Sequence, residues 1–237
     1  MQGHVSILSV SPEAAAMIAS GGRISTMDGT ADEIYANSLS AGQEKNEKLI
    51  GKVLSSGHTS VLEHCYVNLS FENVSVLAEQ FLIEFRLASF TVKSRRYVDF
   101  SKAGYVSPVF TANVQMAIFE RTVESLFGTY DVLEAAGVPK EDARFVLPYC
   151  FCSNFFCSMN ARELVHVMNE LAYGRAFRNC VRWVRACLHS VSSRYHFWPC
   201  ESRRPIVSRT RFVCGRYSCS RRKRLLQSLP RRRMQKG

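Results

Sequence analysis

The sequence predicts one α/β (α+β) domain over residues 1–172, built from a mixed sheet with flanking helices, and a separate basic tail over residues 173–237. Short apolar runs are interspersed with segments of helical period, and glycine or proline residues separate them. The chain has 237 residues, of which 46% are hydrophobic and 22% charged, which is sufficient for a packed core and excludes global disorder.

Charge is distributed very unevenly along the chain. The net charge is +11, but residues 172–237 contain 16 arginines and two lysines against a single acidic residue, Glu201. The first 171 residues therefore hold 13 basic and 19 acidic residues, a net charge of −6. The body is mildly acidic, and the tail needs its own explanation.

In the first half of the body, the pattern predicts two strands and two helical segments. Gly21 and Gly22 are expected to end the first helix, and Gly57 is expected to cap the second. The predicted elements are a strand at 5–10, a helix beginning at 11–13, a helical segment at 31–56 and a half-buried strand at 65–71.

In the second half of the body, the pattern predicts helices. Asn160 and Glu163 have the spacing of a capping box at the start of the last one. The predicted elements are a helix at 74–90, a long amphipathic helix at 110–136 ended by Gly137, a helix begun by Pro139 and a helix at 161–172.

Nothing in the sequence indicates export or membrane insertion. No run reaches the ~18 apolar residues of a membrane span, and the N-terminus lacks a basic-then-apolar signal layout. Nine cysteines without a CxxC pair favour reduced thiols over a zinc ribbon or a thioredoxin-like site. We therefore predict a cytoplasmic protein with no membrane partner and no metal.

Residues 57–64, GHTSVLEH, place two imidazoles and a carboxylate at a helix-to-strand junction. His58, Glu63 and His64 lack the one-turn spacing of helical zinc ligands, which argues against a metal site. Two interpretations stay open. The side chains satisfy the ends of the two elements, or they present imidazole and carboxylate to a polar cofactor.

Residues 84–97, EFRLASFTVKSRRY, are predicted to be the end of a helix followed by a polar loop with three arginines, a lysine and two serines. Guanidinium groups form planar, bidentate hydrogen bonds to phosphate, and serine hydroxyls add neutral donors. The stretch therefore indicates a nucleotide-phosphate site, with a solvated basic loop as the alternative.

Together with RFVLP and NARELVHVMN, these two segments resemble the flavin-dependent thymidylate synthases in order and spacing over residues 5–172. The family signature is RHR, seven residues and Ser. Here Glu84-Phe85-Arg86 and Ser94 occupy those positions. The SGRY that usually follows is Ser94-Arg95-Arg96-Tyr97 in this chain.

The resemblance implies the family's fold and its reaction, which converts dUMP to dTMP with a methylene group from methylenetetrahydrofolate, hydride from reduced FAD and NADPH as reductant. It also implies a homotetramer with FAD at the subunit interfaces. The chain would supply orientation and electrostatics, because flavin and folate carry the redox and one-carbon chemistry.

The resemblance also implies roles for individual residues. His58 matches the family histidine near the flavin. The implied FAD contacts are Ser60, Arg86, Asn160, Arg162 and, in place of an asparagine, His166. The implied dUMP contacts are Lys93, Ser94, Arg95 and Arg96, with Arg144 as a second nucleotide contact.

Four positions depart from the family pattern. Glu84 and Phe85 stand in place of Arg and His, and Val92 stands in place of an acidic residue. The arginine that stabilises the ionised pyrimidine aligns with Leu171, which leaves Arg175, about one helical turn on, as its substitute. A flavoprotein with lost or changed activity, or a basic nucleic-acid-binding protein on the same scaffold, therefore stays as an alternative.

The basic tail allows three explanations. Its arginine runs without balancing acids are typical of a nucleic-acid-binding arm. A disordered basic extension and an out-of-frame reading of an arginine-codon-rich gene are the alternatives. A zinc site there would need the irregularly spaced His196, Cys200, Cys214 and Cys219.

Overall fold

The computed structural model describes residues 3–173, and side chains as far as residue 171. Four strands form one sheet in the order β1-β2-β4-β3. The strands are β1 (His4–Val10), β2 (Tyr66–Ser75), β3 (Ala88–Val92) and β4 (Cys152–Asn160). The helices are α1 (Ala14–Arg23), α2 (Ala31–Ala41), α3 (Gln43–Ser55), α4 (Val76–Leu82), α5 (Asn113–Ala135), α6 (Lys140–Ala143) and α7 (Ala161–Tyr173), with 3₁₀ turns at Thr59–His64 and Arg144–Val146.

The predicted α/β fold class is confirmed, and the strand directions refine it. All three strand pairings of the described residues are antiparallel, whereas a mixed sheet would contain both directions. A sequence pattern indicates where a strand lies but not its direction, because direction is set by the partner with which the strand pairs. The boundary at residue 172 stays a prediction.

The helix predicted over residues 74–90 is confirmed only over α4, and its second half is wrong. α4 ends at Leu82, and residues 88–92 (ASFTV) form the edge strand β3, which pairs with β4. β4 itself has no counterpart among the predicted elements, although it lies between two other strands. β3 and β4 are stabilised by pairing with each other. The hydrophobic pattern of either strand taken alone is therefore not sufficient to predict it. The basic loop therefore follows a strand rather than a helix.

The two glycines expected to end α1 lie inside it. A Cβ on Gly21 would lie 3.0 Å from Cδ2 of His64, and one on Gly22 would lie 3.2 Å from Cγ2 of Val53. The glycines therefore allow α1 to pack closely against the first 3₁₀ turn and α3. Close packing, rather than helix termination, accounts for the pair.

Three predicted helix boundaries are confirmed. Gly57 and Gly137 follow α3 and α5 with φ of +89° and +84°, the left-handed backbone that glycine adopts without strain. Asn160 Oδ1 accepts a 2.8 Å hydrogen bond from the backbone N–H of Glu163 and so caps α7. The helical segment predicted after α1 is also confirmed, as the two helices α2 and α3 rather than one.

The main core lies where the sheet packs against α1, α3 and α7. At its centre, the rings of Phe71 on β2 and Phe155 on β4 are stacked with their centroids 4.5 Å apart. Both side chains are almost fully buried. A second, smaller cluster joins α5 to the start of α4 and to Phe100 and Phe151.

Phe155→Ala is expected to lower the free energy of unfolding by about 3–5 kcal/mol, because it removes a buried ring and the stacking contact with Phe71. The next residue, Phe156, is 57% exposed, so Phe156→Ala is the matched control and should change that free energy far less. Urea unfolding followed by far-ultraviolet circular dichroism measures both. Equal losses for the two variants would contradict the described core.

Candidate functional site

Two cavities lie at opposite ends of α4. The first, of about 360 Å³, is lined by Phe81, by residues 84–86 and by Glu163, His166 and Glu170 of α7. The second, of about 350 Å³, is lined by Val76, Arg95, Arg144, Phe145, Tyr149 and Phe151, among others. Val76 and Phe81 are roughly 8 Å apart along the helix axis. The two cavities are therefore close neighbours.

The first cavity brings together two of the predicted cofactor residues, Arg86 and His166, from the turn after α4 and from α7. Arg86 is exposed and has no hydrogen-bond or ion-pair partner within the described part of the chain. The imidazole of His166 meets the ring of Phe85 edge to face, with centroids 5.4 Å apart and 77° between the ring planes. The cavity therefore offers hydrogen-bond donors beside an aromatic surface.

The same cavity is rich in carboxylates. Glu84, Glu163 and Glu170 line it alongside the single arginine. Glu163 and Glu170 lie three and four residues from His166, which puts all three on one face of α7. Because like charges repel, this lining suits a ring with hydrogen-bonding edges better than a group with several negative charges.

The remaining predicted cofactor residues lie along the contact between the first 3₁₀ turn and α7. Arg162 forms an ion pair with Glu63 of that turn, and Ser60 is exposed on it. The amide oxygen of Asn160 is occupied in capping α7, so its NH2 group is the part left for a ligand. Arg162 and His166 are four residues apart and share a face of the helix.

The two histidines of the 57–64 segment have different environments. His64 packs against Gly21 of α1, and Glu63 is paired with Arg162, which favours the interpretation that these two side chains join elements of the fold. His58 is exposed immediately before the 3₁₀ turn, and its backbone N–H donates to the carbonyl of Val53 at 3.2 Å. The imidazole of His58 therefore stays accessible to a ligand.

Of the basic loop, residues 93–96, Arg95 lines the second cavity together with Arg144. Arg96, 48 positions before Arg144, approaches that arginine through Glu141. Arg96 Nε lies 3.6 Å from a carboxylate oxygen of Glu141. Arg144 Nε donates a 2.8 Å hydrogen bond to the backbone carbonyl of the same residue. Glu141, on α6, therefore holds both arginines at one place.

Lys93 and Ser94 shape the backbone of the loop. The N–H of Lys93 donates to the carbonyl of Asn154 at 3.0 Å, and its Nζ lies 5.7 Å from the centroid of the Phe100 ring. Ser94 Oγ accepts a 3.3 Å hydrogen bond from the N–H of Arg96. A backbone hydrogen bond of Lys93 therefore joins the start of the loop to β4, and the hydroxyl of Ser94 stabilises the turn that follows.

Arg95 points its charge into the protein. Its guanidinium pairs with Glu79 of α4 and lies over the ring of Phe151, 5.5 Å from the centroid. The side chain of Glu79 is 1% exposed and that of Arg95 is 20% exposed. Glu79 therefore neutralises much of the charge that Arg95 would otherwise present to a ligand.

Sequence reasoning missed three residues that shape these cavities: Glu79, Glu141 and Tyr149. A signal existed for Glu79, since it lies among apolar residues on a short helix, and a buried acid needs a partner. Glu141 and Tyr149 carry no such signal, because Glu141 meets Arg96 and Tyr149 joins the second cavity only on folding.

Three of the four described cysteines are poor nucleophiles. Cys65, Cys152 and Cys157 are buried. Burial raises the pKa of Cys65 to about 11 and that of Cys157 to about 12, and it also raises the pKa of Cys152. Their thiols are therefore protonated at neutral pH and take no part in the candidate chemistry.

No helix of the described residues is long and apolar enough to cross a membrane. Within the same residues, no three His, Cys, Asp or Glu side chains cluster in a way that could hold a metal ion. Arg175 and the four zinc candidates of the tail lie outside the described residues.

Residues 6–195 match the protein family described as thymidylate synthase complementing protein. The flavin-dependent thymidylate synthase of Geobacter sulfurreducens is 34% identical over 166 residues, which cover 68% of this chain and 70% of the relative. That of Nitratidesulfovibrio vulgaris is 30% identical over an alignment of 250 positions, gaps included, which covers 96% of this chain and 98% of the relative. That of Haloarcula marismortui is 34% identical over an alignment of 175 positions, gaps included, which covers 62% of this chain and 70% of the relative. The family match extends beyond residue 172, where the resemblance in the motifs ends.

Cys65 and Cys157 are expected to resist alkylation by iodoacetamide in the native protein at about pH 8. With a pKa of about 11, only roughly one Cys65 thiol in a thousand is ionised at that pH, and the thiolate is the reactive form. Peptide mapping by mass spectrometry measures the labelling, and protein unfolded in urea is the control in which both should react. Native labelling as fast as in urea would contradict the described burial.

Proposed function

The chain belongs to the flavin-dependent thymidylate synthase family, and from that premise we propose that it converts dUMP to dTMP with a bound flavin. In this proposal the methylene group comes from methylenetetrahydrofolate, the flavin is FAD, and NADPH is the reductant. The family match and the relatives support a flavin and a thymidylate product. The motifs of the sequence support the finer assignments.

The observation that carries the proposal is that Arg95 and Arg144 line the second cavity and that Arg96 contacts Glu141, the residue that also binds Arg144. Guanidinium groups suit a nucleotide phosphate. The exposed rings of Phe145 and Tyr149 line the same cavity, where they can stack on a base. We therefore propose that residues 93–96 bind the phosphate of dUMP and that Arg144 is a second nucleotide contact.

The residues around the first cavity fit a flavin. A flavin ring is aromatic with hydrogen-bonding edges, which suits the donors of Arg86 and His166 beside the ring of Phe85. When bound, the flavin supplies hydride transfer, and the residues of this chain bind and orient it. The other proposed contacts, along the first 3₁₀ turn and the start of α7, are Ser60, Asn160 and Arg162, with His58 beside them.

Position 171 takes no part in binding the pyrimidine. Leu171 is 5% exposed and belongs to the main core, so its side chain faces other apolar residues. We propose that Arg175 stabilises the ionised pyrimidine instead. Arg175 lies outside the described residues.

We further propose a cytoplasmic homotetramer with no membrane partner, as the resemblance implies. Residues 1–172 form the enzyme body in this proposal, and residues 173–237 are a basic tail. Nucleic acid is a partner only through that tail, whose arginines can neutralise phosphates.

Purified protein reconstituted with FAD is expected to retain the flavin, and added dUMP is expected to change its visible absorption spectrum. Arg86→Ala should weaken FAD binding about tenfold or more, because it removes a charge-assisted hydrogen bond. Arg121→Ala, at an exposed arginine of α5, is the matched control and should bind FAD as the unchanged protein does. Fluorescence quenching measures the affinity.

Other outcomes of that experiment would decide between the alternatives. Flavin retained without a spectral response to dUMP would favour a flavoprotein with a changed substrate. Colourless protein that shifts duplex DNA in a gel would favour a nucleic-acid-binding function and overturn the proposal.

Arg96→Ala and Arg144→Ala are each expected to weaken dUMP binding by about 1.5–3 kcal/mol, roughly tenfold or more, because each removes a charged donor. Ser94→Ala should cost less, about 0.5–1.5 kcal/mol, since its hydroxyl is neutral. Isothermal titration calorimetry at fixed ionic strength measures the three affinities. A Ser94→Ala protein that binds dUMP much more weakly than either arginine variant would refute the assignment.

A further inference from the structure

We propose that Glu79 and Arg95 form an internal anchor that positions Ser94 and Arg96 for the phosphate, so that Arg95 acts through its neighbours and does not itself bind the nucleotide. The inference rests on the proposed function in that it takes dUMP as the ligand of the second cavity. It changes the role of Arg95 from a ligand-binding residue to a positioning residue.

The contacts of Arg95 point inwards. Its guanidinium is held by the carboxylate of Glu79, which is almost completely buried, and by the face of the Phe151 ring. Glu79 also accepts a 3.3 Å hydrogen bond from the side chain of Gln80. By contrast, the side chain of Arg96 is 56% exposed and has only the half-exposed Glu141 as an ionic partner among the described residues. The charge of Arg95 therefore faces a buried carboxylate, although part of its side chain lines the second cavity, whereas Arg96 faces the solvent.

Glu79 is itself fixed in place. The backbone N–H groups of Val76 and Leu77, at the start of α4, donate 3.0 Å hydrogen bonds to the carbonyls of Phe151 and Tyr149. α4, the chain entering β4 and the basic loop therefore meet at one junction. An ion pair from α4 to Arg95 fixes the loop relative to the aromatic wall of the second cavity.

A contribution to the stability of the fold does not by itself explain the ion pair between Glu79 and Arg95. Glu79 Oε2 and Arg95 Nε are buried without a hydrogen-bond partner in the described residues. A buried ion pair that is incompletely satisfied recovers little of its desolvation cost, and a pair of apolar side chains would serve packing as well. The ion pair is not required for packing, and we explain it by its effect on the basic loop, which it holds at a defined position.

The two possible roles of Arg95 predict opposite signs for Glu79→Gln. If Arg95 bound the phosphate directly, removing the neighbouring negative charge would strengthen dUMP binding. If the pair is an anchor, the same change releases the loop and should weaken dUMP binding by about tenfold, the loss of one charge-assisted contact. Arg95→Met should weaken it by a similar factor, and the double variant Glu79→Gln/Arg95→Met should be no weaker than either single variant, because the two residues act as a unit.

Calorimetric titration of the 237-residue chain with dUMP measures whether each variant binds it more tightly or more weakly, and deoxyuridine is the phosphate-free control. The anchor predicts that only dUMP binding changes, whereas a general distortion would weaken both ligands. Glu79→Gln leaves a buried guanidinium unpaired and can prevent folding. The double variant replaces both charges by neutral side chains of similar length, and FAD binding at the first cavity checks its fold.

Hydrogen exchange without ligand provides the measurement that does not depend on dUMP. The double variant should speed exchange of the Val98 amide, which donates to the Ser94 carbonyl at 3.1 Å, while the β4 amides are unchanged. If the unchanged protein does not bind dUMP, the proposed function fails and this exchange rate decides the anchor. Unaltered exchange, or stronger dUMP binding by Glu79→Gln, would overturn the inference.

Discussion

The antiparallel pairing of β4 along both of its edges is the constraint on which both candidate sites depend. β4 holds β2 on one side and β3 on the other, and each of its ends leads into a cavity. The chain entering β4 at residues 149–151 lines the second cavity and accepts two hydrogen bonds from α4. At the other end, Asn160 caps α7, whose next turns line the first cavity.

One residue inside β4 links an irregularity of the sheet to the basic loop. The side chain of Asn154 accepts a hydrogen bond from the N–H of Asn73, which has a left-handed φ of 52° where the register of β2 shifts. Asparagine adopts this backbone conformation more readily than most residues, and bulges of this kind redirect the chain near functional sites. The carbonyl of Asn154 accepts the N–H of Lys93. Through Asn154, β4 therefore fixes the bulge of β2 on one side and the start of the basic loop, at Lys93, on the other.

The two cavities differ in charge across the short helix that separates them. The first has three carboxylates and one arginine, whereas the second has two arginines and aromatic rings. A phosphate is therefore favoured in the second cavity and an aromatic ring with hydrogen-bonding edges in the first. Buried Glu79 and half-exposed Glu141 moderate the positive charge of the second cavity and hold its arginines in place.

Local sequence was sufficient for the helix ends at Gly57, Gly137 and Asn160 and for the half-buried strand β2, because caps and alternation depend on residues within one or two turns. The motifs also indicated which segments carry the candidate chemistry. Tertiary structure alone decided that residues 88–92 are a strand and that Glu79 faces Arg95. Ala88 pairs with Met159, 71 positions away, and Glu79 meets its partner only after α4 and the loop dock on β4. A strand edge and a buried carboxylate take their structure from distant partners, whose position no local pattern contains.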